Sequence, residues 1–210
     1  DRFILSKGHA APALYAALAL RGVFPEKQLE GFHCDKGTLW CHPTRGYVAG
    51  VEATTGSLGH GLSIGIGMAL AGKLDKKEYR VFVLLSDGEC DEGSTWEAGL
   101  GASHLKLDNL TAIIDYNKLQ AFGRTNEVVN LEPLSDKWKS FGFSVREVDG
   151  HNLEQLIKAL KSVPFEKNKP SMIIANTIKG KGVSYMENKL EWHYKSPNDE
   201  EFKKAMQELK

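Results

Sequence analysis

The sequence predicts an α/β fold, a parallel sheet with helices on both faces. The run Val81-Phe82-Val83-Leu84-Leu85 is apolar throughout and bounded by polar residues, as expected of a parallel strand covered on both sides. After it, short apolar runs alternate with helix-like segments, which is the pattern of a parallel sheet joined by crossover helices. The length of 210 residues, 41% of them hydrophobic, suits one compact domain over residues 1–210.

The first half of the chain predicts helices around a long loop. Residues 10–20 are almost all Ala, Leu or Tyr, and Gly22 follows where a helix commonly stops, so we expect a helix buried on most sides. Pro25 begins a shorter helix over residues 25–30. Residues 31–56 have no sustained period, and a loop of that length inside a compact domain is usually functional.

A second long helix is predicted over residues 59–73, although it contains Gly61, Gly65 and Gly67. Glycine costs about 1 kcal/mol per site relative to alanine in a helix. Three glycines therefore need a reason, and close packing against another backbone is the simplest one.

The second half of the chain is more regular. Ser94 and Glu97 have the S-x-x-E spacing of a capping box, which predicts a helix from Ser94 to His104. The remaining predicted strands span residues 110–114, 145–148 and 172–175, and the remaining predicted helices span residues 135–141, 153–161 and 198–210.

Composition excludes several classes of protein. The 27 basic and 27 acidic residues give a net charge of +0, so a general nucleic-acid binder or a polybasic membrane clamp is not expected. The longest apolar run, residues 10–20, is broken by Pro12 and too short to span a bilayer. Three cysteines predict no disulfide framework and a cytoplasmic location. The chain opens within an apolar stretch and without Met, so we expect that an N-terminal segment is missing.

Four soft-metal ligands, His33, Cys34, Cys41 and His42, occur within ten residues. They form adjacent pairs rather than C-x-x-C spacing, and adjacent side chains in an extended segment point in opposite directions. A loop that holds these residues by chance is favoured over the alternative, a zinc site.

Polar side chains follow two neighbouring predicted strands. Asp87 and Gly88 come after the first strand, and Asn117 comes after the next. In an open parallel sheet, ligands bind beyond the carboxyl ends of the strands. Carboxylate and amide oxygens suit a hard cation, Mg²⁺ or Ca²⁺, and Gly88 lets a backbone N–H approach an anion. The sequence therefore predicts a site for a divalent cation and an anionic group.

The Asp-Gly pair followed by Asn resembles the thiamine diphosphate motif, and the segments around it resemble successive signatures of transketolase. These segments run along the whole chain: Leu5-Ser6-Lys7-Gly8-His9, Cys41-His42-Pro43, Gly50 to Gly61, Asp87 to Gly93, Asp149-Gly150-His151 and Lys179 to His193. The resemblance covers only the diphosphate-binding domain of that family (the PP domain). It implies a thiamine diphosphate-binding fold and the N-terminal subunit of a split enzyme.

The resemblance also implies roles for individual residues. Asp87, Asn117 and the Leu119 carbonyl would hold the divalent cation. The expected cofactor-binding residues are His9, Gly56, Leu58, Gly88, Glu89, Asn117 and His193, with Gly56 and Leu58 against the aminopyrimidine. The expected catalytic residues are His9, His42, His193 and Glu92. His42 would face the sugar, and Glu92 and Glu97 would communicate with the neighbouring active site across a dimer interface.

The implied reaction transfers a two-carbon ketol unit from a ketose (phosphate) to an aldose (phosphate), as in a transketolase-type transferase (EC 2.2.1.-, with 2.2.1.1 favoured). The pathway stays open between pentose phosphate metabolism and specialised sugar biosynthesis. Histidines near neutral pKa suit the proton transfers among sugar oxygens. The family's pyrimidine-binding domain, which carries the glutamate that activates the cofactor, is absent. We therefore expect a C-terminal partner subunit, in a heterotetramer or a dimer of two-chain units. Departures from the family pattern occur at Cys41, Ser57, His60, Ser86 and Tyr194.

Several alternatives stay open. The chain could belong to a 2-oxo acid dehydrogenase α-subunit or a deoxyxylulose phosphate synthase, or it could be a non-catalytic cofactor-binding subunit. Gly56-x-x-Gly59-x-Gly61 resembles a dinucleotide loop, but it follows a loop rather than a strand. Glu97 could serve only as the end of the capping box. Lys179 and Lys181 could bind phosphate or be solvated.

Overall fold

A five-stranded parallel sheet forms the centre of the computed structural model, which describes residues 1–210. Its strand order is β1-β2-β3-β7-β6, and β4 and β5 form a separate antiparallel hairpin. The strands are β1 (Arg2–Leu5), β2 (Val81–Ser86), β3 (Leu110–Tyr116), β4 (Leu119–Gln120), β5 (Gly123–Arg124), β6 (Ser144–Asp149) and β7 (Ser171–Asn176). The predicted α/β class with a parallel sheet is confirmed.

Seven α-helices connect or follow these strands: α1 (Ala11–Leu20), α2 (Gly61–Leu74), α3 (Gly93–His104), α4 (Thr125–Val128), α5 (Leu134–Ser140), α6 (Leu153–Lys161) and α7 (Asp199–Glu208). None of them combines the length and apolarity that crossing a membrane requires. Residues 31–56 contain no named strand or α-helix, so the predicted long loop is confirmed.

The register brings the carboxyl ends of the central strands to one edge of the sheet. Ser86 of β2 pairs with Asp115 of β3, and Tyr116 of β3 pairs with Asn176 of β7. On the other side of β2, Leu5 at the end of β1 pairs with Leu84. The carboxyl ends of four strands therefore lie side by side, and the segments that follow these strands meet at this edge of the sheet.

One face of the sheet carries the main core. Alternate strand residues such as Val83, Ala112 and Met172 lie on this face and are fully buried. Helices α2, α3 and α5 cover it, and Trp138 of α5 stacks on Trp96 of α3 with ring centroids 4.8 Å apart. Each fully buried side chain of this size contributes roughly 1.5–3 kcal/mol through the hydrophobic effect, so this layer fixes the sheet.

The opposite face of the sheet is covered less completely. The chain turns back from the edge strand β6 to β7, so the right-handed crossover puts α6 on this face. Phe82, Leu84 and Ile113, which point to the same side, are only half-buried. The sheet thus has helices on both faces, but the layers are unequal.

Helix α1 lies outside the main core, in a second cluster with the long loop. Tyr15 of α1 is 1% exposed and packs with Leu39 and Val48 of that loop. The prediction that this helix is buried on most sides is wrong, since Leu20 is 77% exposed. Apolar composition alone does not reveal that the helix meets a loop on one side only.

Some local features differ from the sequence analysis. Strand β1 was not predicted, and neither was the hairpin β4–β5. The short helix predicted over residues 25–30 is present as a 3₁₀ helix (Glu26–Gly31). The capping box at Ser94 and Glu97 is wrong, because the Ser94 hydroxyl donates to the Gly59 carbonyl (3.0 Å). A true capping box begins α7, where Asn198 and Glu201 cap each other.

The glycines of α2 confirm the predicted close packing against another backbone at Gly61 only; at Gly65 the close neighbour is a side chain. A Cβ on Gly61 would lie 2.8 Å from the Ser6 Cα, and one on Gly65 would lie 2.5 Å from the Val83 Cγ2. At Gly67 a Cβ would meet nothing within 4 Å, so the predicted close approach is wrong there.

This difference gives a matched pair of variants in one helix. We expect Gly65→Ala to lower the free energy of unfolding by about 1–3 kcal/mol, because Val83 is buried and cannot move away. Gly67→Ala, two residues away, should raise it by up to about 1 kcal/mol through helix propensity. Urea unfolding of both variants measures the change, and equal effects would contradict the packing assignment.

Candidate functional site

A cavity of about 840 Å³ lies at the carboxyl ends of β1, β2, β3 and β7. This volume falls within the usual range for small-molecule and cofactor sites. Ten of the eleven residues expected to be catalytic, cofactor-binding or metal-binding line it: His9, His42, Gly56, Leu58, Asp87, Gly88, Glu92, Asn117, Leu119 and His193. Glu89 is the exception.

The candidate metal ligands lie at one end of this cavity. Asp87 follows β2 directly, and its two carboxylate oxygens accept the backbone N–H groups of Gly88 (2.8 Å) and Lys118 (2.5 Å). The Asn117 side-chain oxygen accepts the backbone N–H of Leu119 (2.9 Å). These bonds fix the oxygen atoms and leave each of them further lone pairs.

Asp87 is 1% exposed and forms no ion pair with a basic side chain. Burial raises its pKa to about 6, although the two backbone N–H bonds and the Lys7 charge act against the rise. A buried carboxylate that lacks a cationic partner, beside a fixed amide oxygen, is a donor set that fits Mg²⁺ or Ca²⁺. The residues present therefore fit the divalent cation that the sequence implied.

Two histidine rings lie next to each other in the lining of the cavity. The ring centroids of His9 and His193 are 5.6 Å apart. Burial and the nearby charges of His193 and Lys7 lower the pKa of His9 to about 4. Burial lowers the pKa of His193 as well, and the charges of Lys179 and Lys7 add to this effect. The His193 Nδ1 is buried and has no hydrogen-bond partner. Both rings are thus neutral near pH 7 and available to a polar ligand.

A charged network that the sequence did not predict forms the floor of the cavity. The Lys7 ammonium pairs with the Asp115 carboxylate, which also accepts the Thr177 hydroxyl. Burial raises the pKa of Asp115, but Lys7, the Thr177 hydroxyl and Lys179 together outweigh burial, so the net shift is downward. Lys179 lines the same cavity. Burial lowers its pKa, and the nearby positive charge of Lys7 lowers it further. Two lysines therefore face one paired carboxylate, an arrangement that attracts anions.

The structure also places the residues for which the sequence left two roles open. Lys181 forms an exposed ion pair with Glu187 (3.6 Å), so it is solvated, whereas Lys179 lines the cavity. Glu97 is exposed on α3 outside the cavity. The structure contains no group of three metal-ligating side chains at His33, Cys34, Cys41 and His42. All three cysteines are free thiols.

Glu89 is turned away from the cavity. It is fully buried, and its carboxylate accepts the Ser6 hydroxyl and the backbone N–H groups of Gly59 (2.8 Å) and Ser86 (3.2 Å). Its side chain therefore does not reach a ligand in the cavity, contrary to the expected direct contact. It ties the glycine-rich loop before α2 to the end of β2.

We expect Glu89→Gln to lower the free energy of unfolding by about 1–3 kcal/mol, because an amide nitrogen cannot accept one of the N–H groups that the carboxylate satisfies. Glu97→Gln, on the exposed side of α3, is the matched control and should stay within about 0.5 kcal/mol of the parent. Thermal or urea unfolding checks both. A neutral effect of Glu89→Gln would mean that these bonds contribute nothing.

The wall and mouth of the cavity carry apolar groups. Leu58 and Gly56 lie on the wall, where a Cβ on Gly56 would come within 3.1 Å of the His42 ring. Phe122, at the tip of the β4–β5 hairpin, is 83% exposed, and Tyr194 is 78% exposed. The mouth is therefore open and flanked by unpacked aromatic side chains.

Helix α7 holds the segment that carries Lys179 and His193. The Ser184 backbone N–H (2.5 Å) and hydroxyl (2.8 Å) bond to the Glu208 carboxylate, and the Tyr185 hydroxyl donates to the Glu201 carbonyl (2.6 Å). The hydrogen bonds that join α7 to the chain before Asn198 through side chains all reach residues between 184 and 195. The last helix thus stabilises one wall of the cavity.

Comparison with known proteins identifies the family of this chain. The family model for "Transketolase, thiamine diphosphate binding domain" matches residues 1–210. The chain belongs to the transketolase family. This transketolase domain is 44% identical over 209 residues to a protein of Phocaeicola vulgatus that is named as one subunit of apulose-4-phosphate transketolase, covering 100% of this chain and 74% of that one. It is 46% identical to the "6-deoxy-6-sulfo-D-fructose transketolase subunit SqwG" of Clostridium sp., covering 100% and 76%.

Longer transketolases match as well. The chain is 44% identical to the transketolase of Pongo abelii, covering 93% of this chain and 31% of that protein. The crystal structure of the Campylobacter jejuni transketolase superposes with a TM-score of 0.92 at 31% identity, covering 100% and 34%. This transketolase domain thus spans about a third of the length of those proteins. The predicted family and thiamine diphosphate-binding domain are confirmed.

Proposed function

We propose that this chain is the diphosphate-binding subunit of a split transketolase, which transfers a two-carbon ketol unit from a ketose to an aldose. One observation carries the proposal: Asp87 and Asn117 follow neighbouring strands and line the same cavity. That pair of oxygen donors is what a divalent cation bridging to a diphosphate requires.

The cofactor would be held by groups that already line the cavity. Asp87, Asn117 and the Leu119 carbonyl would bind Mg²⁺ or Ca²⁺, and the Gly88 N–H and His9 would bind the diphosphate. The diphosphate is anionic, and Lys7 and Lys179 supply positive charge nearby. His193 offers its unpaired Nδ1, and Gly56 and Leu58 offer a flat wall to the aminopyrimidine.

Thiamine diphosphate supplies the carbanion chemistry when it is bound, so the protein has to bind, orient and exchange protons. His9 and His193, neutral near pH 7, can accept a proton from a sugar hydroxyl or donate a hydrogen bond to its oxygen. His42 faces the cavity from the loop side and would contact the sugar, and Glu92 lies on the same rim. These four residues are the proposed catalytic set.

A second chain is part of the proposal. The cavity mouth is flanked by exposed aromatic side chains, Phe122 and Tyr194. Two similar proteins are each named as one lettered subunit of apulose-4-phosphate transketolase, which implies that those enzymes contain a further chain. We therefore propose a partner that carries the pyrimidine-binding domain, in a heterotetramer or a dimer of two-chain units.

The substrate test offers the assembled enzyme ketose donors and pyruvate in parallel. The panel includes apulose 4-phosphate and 6-deoxy-6-sulfo-D-fructose, which are named for similar proteins, together with pentose phosphates. We expect ketol transfer from at least one ketose and no decarboxylation of pyruvate. Pyruvate decarboxylation without ketol transfer would favour a 2-oxo acid enzyme, and cofactor binding without either reaction would favour a non-catalytic subunit.

A further inference from the structure

The His42 ring is bonded at one nitrogen only. The Cys41 Sγ lies 3.3 Å from the His42 Nδ1, a hydrogen-bond distance for sulfur, and no group of the protein bonds the Nε2. A neutral imidazole carries one proton, and the two nitrogens take opposite roles. The partner of Nδ1 therefore decides what Nε2 offers to the cavity.

The backbone on both sides of Cys41 is held by α1. The Tyr15 hydroxyl lies 3.0 Å from the Trp40 carbonyl and 3.3 Å from the His42 carbonyl, so the two carbonyls share its single proton. Tyr15 is 1% exposed and packs in the cluster that joins α1 to the loop. Burial raises the pKa of the Tyr15 hydroxyl, so it remains protonated and a donor at neutral pH.

The third restraint is steric. The Gly56 backbone lies so close to the His42 ring that a Cβ would be 3.1 Å from its Cδ2 and 3.2 Å from its Cγ. The ring is thus packed on this side and bonded at Nδ1. A side chain restrained in this way loses little rotational entropy when it meets a ligand.

We propose that Tyr15 and Cys41 are positioning residues for His42. Tyr15 fixes the carbonyls that flank Cys41, and the Cys41 thiol donates a hydrogen bond to the Nδ1 of His42. The neutral ring then carries its proton on Nε2 and presents an N–H donor to the cavity. The final step, donation to a hydroxyl or carbonyl oxygen of a sugar, rests on the proposed function.

The first test measures the His42 tautomer by ¹⁵N NMR of the ligand-free chain, with the signal assigned from a His42→Asn variant. We expect an unprotonated Nδ1 and a protonated Nε2 in the parent and in Cys41→Ser, which keeps a donor. Cys41→Ala and Tyr15→Phe should give a mixture of tautomers. The exposed Tyr47 stacks on Trp40 and makes no hydroxyl hydrogen bond, so Tyr47→Phe is the matched control. A protonated Nδ1 in the parent, or an unchanged tautomer in Cys41→Ala, would overturn the proposal.

The second test uses the enzyme assembled with its partner chain. We expect Tyr15→Phe and Cys41→Ala to lower kcat/KM for the ketose donor about tenfold, the effect of one net hydrogen bond. Cofactor affinity should change less than about twofold, and Cys41→Ser should restore the parent rate. Unchanged kinetics in both variants would reject the positioning role. The expected tautomers without any ketol transfer in the parent would instead reject the proposed function and leave the geometry standing.

Discussion

Replacement of Asp87 by Asn should abolish divalent-dependent binding of thiamine diphosphate. Asn keeps the size of the side chain but removes the charge that attracts the cation, and one of its two ends can no longer accept the backbone N–H of Gly88 or Lys118. We expect the affinity for the cofactor in the presence of Mg²⁺ to fall about 100-fold or more, which corresponds to roughly 2.7 kcal/mol, because a neutral amide oxygen binds the cation more weakly than a carboxylate does. Isothermal titration of the assembled enzyme measures it.

The control for this experiment is Asp136→Asn on α5, where the carboxylate is 68% exposed and pairs only with Lys139. This variant removes the same charge at a distance from the cavity and should bind the cofactor like the parent. Circular dichroism before titration separates lost binding from lost folding. An Asp87→Asn enzyme that binds the cofactor with unchanged affinity would refute the assignment of the metal site.

The purified single chain should catalyse no ketol transfer, and activity should appear when the partner chain is added. The glutamate that activates the pyrimidine ring of the cofactor is expected, from the resemblance to transketolase, outside residues 1–210. The open cavity mouth and the exposed Phe122 fit a site that is completed by a second protein. A coupled assay with a ketose phosphate donor and an aldose acceptor measures the rate as partner is titrated in.

Two controls make this result specific. The partner alone should be inactive, and so should the partner mixed with the Asp87→Asn chain, because the cofactor then has no cation to hold it. Saturation of the rate at equal amounts of the two chains would support the two-chain unit. Turnover by the single chain would contradict the proposal.

The proximity of Asp87 and Asn117 could be predicted from the sequence because it depends on strand order and strand ends alone. The apolar run before Asp87 and the one before Asn117 read clearly as neighbouring parallel strands, and register then brings their ends together. Lys7 was assigned no role because β1 is only four residues long and its first two residues are exposed. Had β1 been predicted, the same rule about carboxyl ends would have placed Lys7 at the edge of the sheet that also carries Asp115.

The failures concern side chains whose direction depends on tertiary contacts. Glu89 follows the Asp-Gly pair and has a suitable ligand group, but the 3₁₀ turn at Gly88–Asp91 points it into the protein toward Gly59. Ser94 has the spacing of a cap, yet its hydroxyl bonds to the Gly59 carbonyl on another segment. In both cases a contact more than twenty residues away outcompetes the local pattern.

Because Asp87 has no cationic partner, the binding of a ligand in the cavity should affect how long the chain stays folded. A carboxylate that is 1% exposed and lacks a cationic partner lowers the free energy of unfolding of the ligand-free chain. A ligand that binds only the folded state raises this free energy when its concentration exceeds its dissociation constant. Empty copies should therefore open more often than loaded copies and be degraded first by cellular proteases. The supply of vitamin would then set not only how much of this protein works but also how much of it survives.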